Sequence, residues 1–217
     1  MTETEIINKT IEFVKQSLQG AEGGHDWWHI ERVYNNTKHI AATEPVNTFI
    51  AELGALLHDI ADAKFNDGDE NIGPKKAVQF LQSLSVNDYI IAQVEHIIRN
   101  ISFKGGNFST GILSAELAVV QDADRLDAMG AIGIARAFNY GGFKNREIYN
   151  PGIAPDLTMD KEAYKKSNAP TLNHFYEKLF LLKDRMNTGT GKKMAVERHA
   201  FMEKYLELFY HEWKGEK

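Results

Sequence analysis

The sequence predicts an all-α protein of about nine helices, with one long irregular insert near residues 141–170. Three observations carry that prediction. Apolar residues recur at three- and four-residue spacing through most of the chain. Period-two alternation is scarce, and glycine, proline and asparagine gather between the periodic stretches. No internal repeat is visible, and 217 residues suffice for one sizeable core, so a single domain over residues 1–217 is expected.

Residues 4–18 place Ile6, Ile7, Ile11, Val14 and Leu18 at helical spacing, and Gly20, Gly23 and Gly24 end the pattern. Residues 28–42 repeat it through Ile30, Val33, Tyr34, Thr37, Ile40 and Ala41. Pro45 and Asn47 open a third helix that runs to about His58. Its Phe49, Ile50, Leu53, Leu56 and Leu57, with Ala51 and Ala55 between them, leave almost no polar face, which places it centrally. Residues 65–71 form a polar loop. Pro74 suits the first turn of a helix continuing to Leu84, where its missing N–H costs nothing. Ser85 and Asp88 read as a capping pair for a helix over 86–100. A glycine-rich loop over 102–109 carries Lys104, and Thr110 caps a strongly apolar helix over 111–125. Residues 127–140 are rich in small side chains that permit close helix packing. The insert over 141–170 mixes glycine, proline, asparagine and charge; so long a loop is unusual and often functional. Helices over 171–186 and 191–213 complete the chain.

Composition narrows the class. Net charge is −5 and no basic helix is apparent, so nucleic acid is not an expected partner. Residues 1–141 carry 11 basic and 19 acidic side chains, whereas residues 142–217 carry 14 and 11. That split fits either an acidic half holding a cation or solvated faces that differ by chance. Cysteine is absent, which excludes disulfides, thiolate ligands and a cysteine nucleophile. The start Met1-Thr2-Glu3-Thr4-Glu5 lacks the basic and apolar segments of a signal peptide. No apolar run approaches the ~20 residues that cross a bilayer. A cytoplasmic protein without a membrane partner is therefore expected.

One pair of residues points to chemistry. His58 and Asp59 stand side by side after the apolar helix, where ionisable groups are costly unless they bind or pair. His29 opens the second helix and Asp124 ends another buried one. Together these four supply two imidazoles and two carboxylates from three helices. Such donors suit Mn²⁺, Fe²⁺, Co²⁺, Ni²⁺ or Zn²⁺ better than Ca²⁺. A divalent ion of that kind lowers the pKa of bound water and polarises a phosphoryl oxygen. Hydrolysis of a phosphate ester or anhydride then becomes available. Taken singly, a histidine on a helix is more often structural, and a His-Asp dipeptide arises by chance; the spaced set and its surroundings carry the argument.

The flanking residues are more specific. His25-Asp26-x-x-His29-x-x-Arg32-Val33, Leu57-His58-Asp59-Ile60-x-Asp62-x-Lys64-Phe65 and Asp122-Ala123-Asp124-Arg125-Leu126-Asp127-Ala128-x-Gly130-Ala131 occur in order. Asn173-His174-Phe175-Tyr176-Glu177-Lys178-Leu179, Met186-Asn187-Thr188 and Glu197-Arg198-His199 follow. In these stretches the sequence resembles the HD-domain phosphohydrolase superfamily, named after such a His-Asp pair, over nearly the whole chain. Within it, the chain resembles a branch of small bacterial hydrolases that includes manganese-dependent nucleotide pyrophosphohydrolases. The resemblance implies an HD-type helical bundle, with a metal-binding core over roughly 20–140 and C-terminal helices over 171–214 packed on it. It implies a single Mn²⁺ as the first choice of cofactor, Mg²⁺ and the other divalent ions being alternatives. The reaction implied converts a nucleoside triphosphate to a monophosphate and pyrophosphate.

Further residues take roles from spacing and resemblance together. Asp62 lies one helical turn after Asp59, where related enzymes carry a carboxylate that assists the attacking water. Asp67, eight after Asp59, is a second acid candidate, and a common loop residue by its plainer reading. Phosphate needs cations: Lys64 follows the metal segment, Lys104 adjoins Gly105-Gly106, Arg125 adjoins Asp124, and Arg32 is one turn from His29. Lys178 and Arg198 enter through the resemblance alone. His25 either contacts substrate or caps the second helix. Asp127 is a candidate cap for the helix after it. His96 has no matching second histidine, so one metal is expected rather than two. Trp27, Trp28, Phe138, Tyr140 and Phe143 either stack on a base or belong to the core, and boundary aromatics are more often core. The alternatives to the pyrophosphohydrolase are a 5′-nucleotidase or other phosphomonoesterase, a phosphodiesterase, and a nucleotide-sensing module without turnover.

Overall fold

Helix α1 (Glu3–Ser17) starts at a capping box, in which Thr2 and Glu5 satisfy each other's backbone N–H groups, and buries Ile6, Ile7 and Val14. The structure, a computed structural model, describes residues 1–20, 26–61, 69, 71–101, 113–159, 163 and 167–216. Among them, helices α2 (Trp27–Ala41), α3 (Thr48–Leu57), α4 (Ile72–Ser83), α5 (Asp88–Asn100), α6 (Ala115–Asp127), α7 (Gly130–Phe143), α8 (Asn173–Glu177) and α9 (Gly189–Trp213) follow α1. A 3₁₀ helix over Leu179–Arg185 separates α8 from α9, and no strand occurs among the described residues. The all-α bundle of about nine helices is therefore observed. No helix among the described residues is long and apolar enough to cross a membrane.

The chain divides into two compact units, Met1–Asp124 and Arg125–Lys217, with the boundary inside α6. In the first, α3 is the central element and packs on α1, α2 and α5. Phe49, Ile50, Leu53, Leu56 and Leu57 are all buried, as its missing polar face requires. Gly54 lets α5 approach: a Cβ there would lie 2.8 Å from Ile97 Cδ1. Asn36 and Gln121 tie α6 to α2 and α5 through Ala123 O (3.3 Å) and Asn100 O (2.9 Å).

In the second unit, α7 and the 3₁₀ helix pack on α9, and Phe175 is fully buried, stacked on Tyr205 at 6.2 Å. The insert leaves α7 at Phe143 and has no regular structure over its described part up to 159. Its start is held to the stretch before α8, where Thr171 N and Leu172 N donate to Glu147 O and Ile148 O at 2.8 and 3.0 Å.

Several boundaries differ from expectation. The helix read over 171–186 is two pieces, because Lys178 adopts φ −142°, ψ −55° and breaks the α-helical run. Ser85 takes φ 55° and caps nothing; Asn87 is the cap of α5. Asp127 does not cap α7, whose N-cap is Met129 without a side-chain bond; Asp127 pairs with Arg136 instead. Thr110 lies outside the described residues, and Ser114 Oγ accepts from Leu117 N at the start of α6. Of the five aromatics read as core, Trp28, Tyr140 and Phe143 are exposed.

Candidate metal centre

Two helix ends bring imidazoles together. At the start of α2 the Asp26 carboxylate accepts from His29 N at 3.0 Å, which fixes the first turn and turns His29 inward, 3% exposed. At the end of α3, His58 is the C-cap residue, and its Nδ1 lies 2.8 Å from Ala55 O. A carbonyl only accepts, so in the neutral ring Nδ1 carries the proton and Nε2 keeps its lone pair. The two rings stand edge to face, with centroids 5.3 Å apart.

Both Nε2 atoms face one carboxylate oxygen. Asp124 Oδ1 is 3.6 Å from His29 Nε2 and 4.0 Å from His58 Nε2. These separations exceed a hydrogen bond. They match donors that each stand about 2.1 Å from a shared cation, which leaves them roughly 3–4 Å apart. Asp59 joins the two imidazoles: ligand atoms of His29, His58 and Asp59 all lie within 4.8 Å of one another. The imidazoles are buried while the Asp124 side chain is 37% exposed, so the donors run from the interior to the surface. Two neutral imidazoles and two carboxylates fit a divalent ion in charge and donor type.

The remaining residues singled out by sequence fall into two sets. His25, Asp62, Lys64, Asp67 and Lys104 lie outside the described residues. Arg32 is half-buried on α2, one turn after His29. His96, half-buried on α5, has Asn100 Nδ2 3.3 Å from its Nδ1. In the second unit, Arg125 donates to Arg185 O, Arg198 donates to Leu126 O, and Lys178 is exposed at the break after α8.

Sequence reasoning missed three features. Asp26 was readable as a cap, being three residues before His29. The Ala55 carbonyl gives no residue-type signal, since every residue has one. Arg136, which reaches Asp127 Oδ2 at 2.6 Å, lies nine positions away among small residues and carries no motif.

Comparison with known proteins gives the family. The HD domain family model matches residues 27–129, which contain all four donors. YpgQ of Bacillus subtilis strain 168 is 38% identical over 191 residues, 88% of this chain and 85% of that one. The crystal structure of an HD-superfamily hydrolase from Bacillus thuringiensis is 45% identical, covers 98% of this chain and 99% of its own, and superposes with a TM-score of 0.79. A Lactobacillus plantarum protein gives a TM-score of 0.83 at 36% identity, covering 99% of each chain. YpgQ in complex with ADP gives 0.78 at 34%, covering 98% and 97%. The chain therefore belongs to the HD-domain family, as an HD-superfamily hydrolase with its His-Asp pair at positions 58 and 59.

Proposed function

We propose that the protein is a metal-dependent phosphohydrolase that adds one water across the α–β anhydride of a nucleoside triphosphate, giving a monophosphate and pyrophosphate. The observation that carries this reading is the convergence of His29 Nε2 and His58 Nε2 on Asp124 Oδ1, with Asp59 beside them. The ADP bound to YpgQ supports a nucleotide as the ligand. His29, His58, Asp59 and Asp124 would hold the ion, Mn²⁺ first among the divalent candidates. When bound, such an ion lowers the pKa of a coordinated water and polarises a phosphoryl oxygen.

The chain's own groups prepare that site. Ala55 O holds the His58 proton on Nδ1, and Asp26 fixes the turn that presents His29. Asp62, one turn after Asp59 in sequence, takes the proton of the attacking water, and Asp67 is a second acid candidate by its sequence offset. His25, Arg32, Lys64, Lys104, Arg125 and Lys178 are the groups we assign to the substrate, with Arg198 the further candidate that the resemblance supplies. A cation near the transferred group stabilises charge that grows in the transition state.

Turnover of mono-, di-, tri- and cyclic nucleotides with Mn²⁺ and other divalent ions tests the assignment. Pyrophosphate release from triphosphates is expected. Orthophosphate from monophosphates would identify a phosphomonoesterase instead, and binding without turnover would identify a sensor. His58→Ala is expected to lose Mn²⁺ and activity while its far-ultraviolet circular dichroism stays helical. Undiminished turnover by that variant rejects the centre.

A further inference from the structure

The C-terminus of α6, three residues past the donor Asp124, is closed by two guanidinium groups. Arg198, on α9, donates through Nη1 to Leu126 O. Arg136, on α7, reaches Asp127 O at 3.2 Å and Asp127 Oδ2 at 2.6 Å through its Nη1. The last carbonyls of a helix have no intrahelical donors and carry partial negative charge, so two cations there complement both needs. Ala128 N and Met129 N supply the remaining turn bonds, to Arg125 O and Leu126 O at 3.1 Å each.

This closure is built into the core. Asp127 is 1% exposed, so its charge requires the Arg136 partner. Gly130 has φ +67°, and a Cβ on it would stand 3.1 Å from Arg198 Cγ and 3.2 Å from Arg198 Cβ. The left-handed glycine thus makes room for the arginine stem as well as for the turn. Burial pulls the Arg198 guanidinium below its ordinary pKa while the charge of Asp127 opposes the shift.

We infer that Arg198 and Arg136 are positioning residues for the metal donor Asp124, acting by fixing the end of the helix that carries it. The inference rests on the metal-dependent reading of the centre. A donor shared between two imidazoles tolerates little rotation, and α6 runs without interruption from Asp124 to Asp127. Loss of either guanidinium takes the side-chain donor from one of the last carbonyls, so the last turn, which includes Asp124, would fray more readily.

Nucleotide-free Mn²⁺ titration of the full chain, read by electron paramagnetic resonance, tests this in wild type, Arg198→Met, Arg136→Met and Arg198→Lys. Circular dichroism and thermal unfolding accompany each titration. Both methionine variants are expected to bind Mn²⁺ roughly tenfold more weakly, the lower end of what groups orienting a ligand contribute. Arg198→Lys, which keeps a donor for Leu126 O, is expected to restore most of the affinity. Leu206→Ala, a buried change elsewhere on α9, should lower thermal stability and leave Mn²⁺ affinity unchanged. Should Arg198→Met not fold, Arg136→Met and Arg198→Lys decide the matter. Wild-type Mn²⁺ affinity in folded Arg136→Met and Arg198→Met, with a raised KM for triphosphate in the latter, overturns the inference and makes Arg198 a substrate contact. A wild-type chain that takes up no Mn²⁺ instead sinks the metal-dependent reading, and this inference with it.

Discussion

At the scale of single residues, the two nitrogens of His58 have different partners: Nδ1 meets Ala55 O and Nε2 faces Asp124. A neutral ring has one donor and one acceptor, so this division leaves a lone pair where a cation needs it. His29 depends on Asp26 in a comparable way, through its backbone rather than its ring. Asp26→Ala should cost about 1 kcal/mol of stability. It should also weaken Mn²⁺ binding several-fold, and a titration beside a thermal melt reads both. Unchanged binding would show that His29 is held by the core alone. His174 gives a separate test. Burial first, then the charges of Lys178 and Arg146, push its pKa from 6.5 down to about 3. Between those values the unfolded chain takes up a proton that the folded chain refuses, so stability falls as pH drops. The slope approaches about 1.4 kcal/mol per pH unit. His174→Gln should flatten wild-type stability loss between pH 6.5 and 4; parallel curves would refute the assignment. The four donor candidates were legible because histidine and aspartate are rare beside buried helices unless they are partnered. The orienting carbonyl of Ala55 was not legible, because backbone groups leave no trace in residue type.

Among the elements, α3 shows how far periodicity reaches. Its apolar run announced a central helix, and the structure surrounds it with α1, α2 and α5. The closeness of α5 depends on Gly54, which reads in sequence only as a weak helix former. Gly54→Ala would set its Cβ 2.8 Å from Ile97 Cδ1 and should cost about 1–3 kcal/mol in denaturant unfolding. Ile97→Val removes that Cδ1 and should recover part of the loss in the double variant. Strictly additive effects would mean the two helices do not meet there. The break at Lys178 lay beyond sequence reasoning, since the residues on either side are ordinary helix formers. After the break Leu179 and Leu182, three positions apart, are both buried from the 3₁₀ helix. Ser85 and Asp127 mark the same limit: both have the composition of caps, and neither caps a helix.

For the whole molecule, all four donor candidates fall within Met1–Asp124, and Asp124 is the last residue of that unit. Ligand binding stabilises the structure that forms the site, by about 2.7 kcal/mol at a hundredfold excess over Kd. Mn²⁺ should therefore slow amide hydrogen exchange most in α2, α3 and α6, and chelation should reverse the gain. Equal protection along α9 would contradict a centre confined to these donors. The exposed indole of Trp28, 61% accessible, and its neighbour Trp27, under the Lys15 ammonium at 4.6 Å, immediately precede His29. The third tryptophan, Trp213, belongs to the other unit. Two of the chain's three tryptophans are therefore joined by a short run of backbone to a candidate donor of the centre. A paramagnetic ion arriving there would darken this pair, so the protein reports its own loading without a dye.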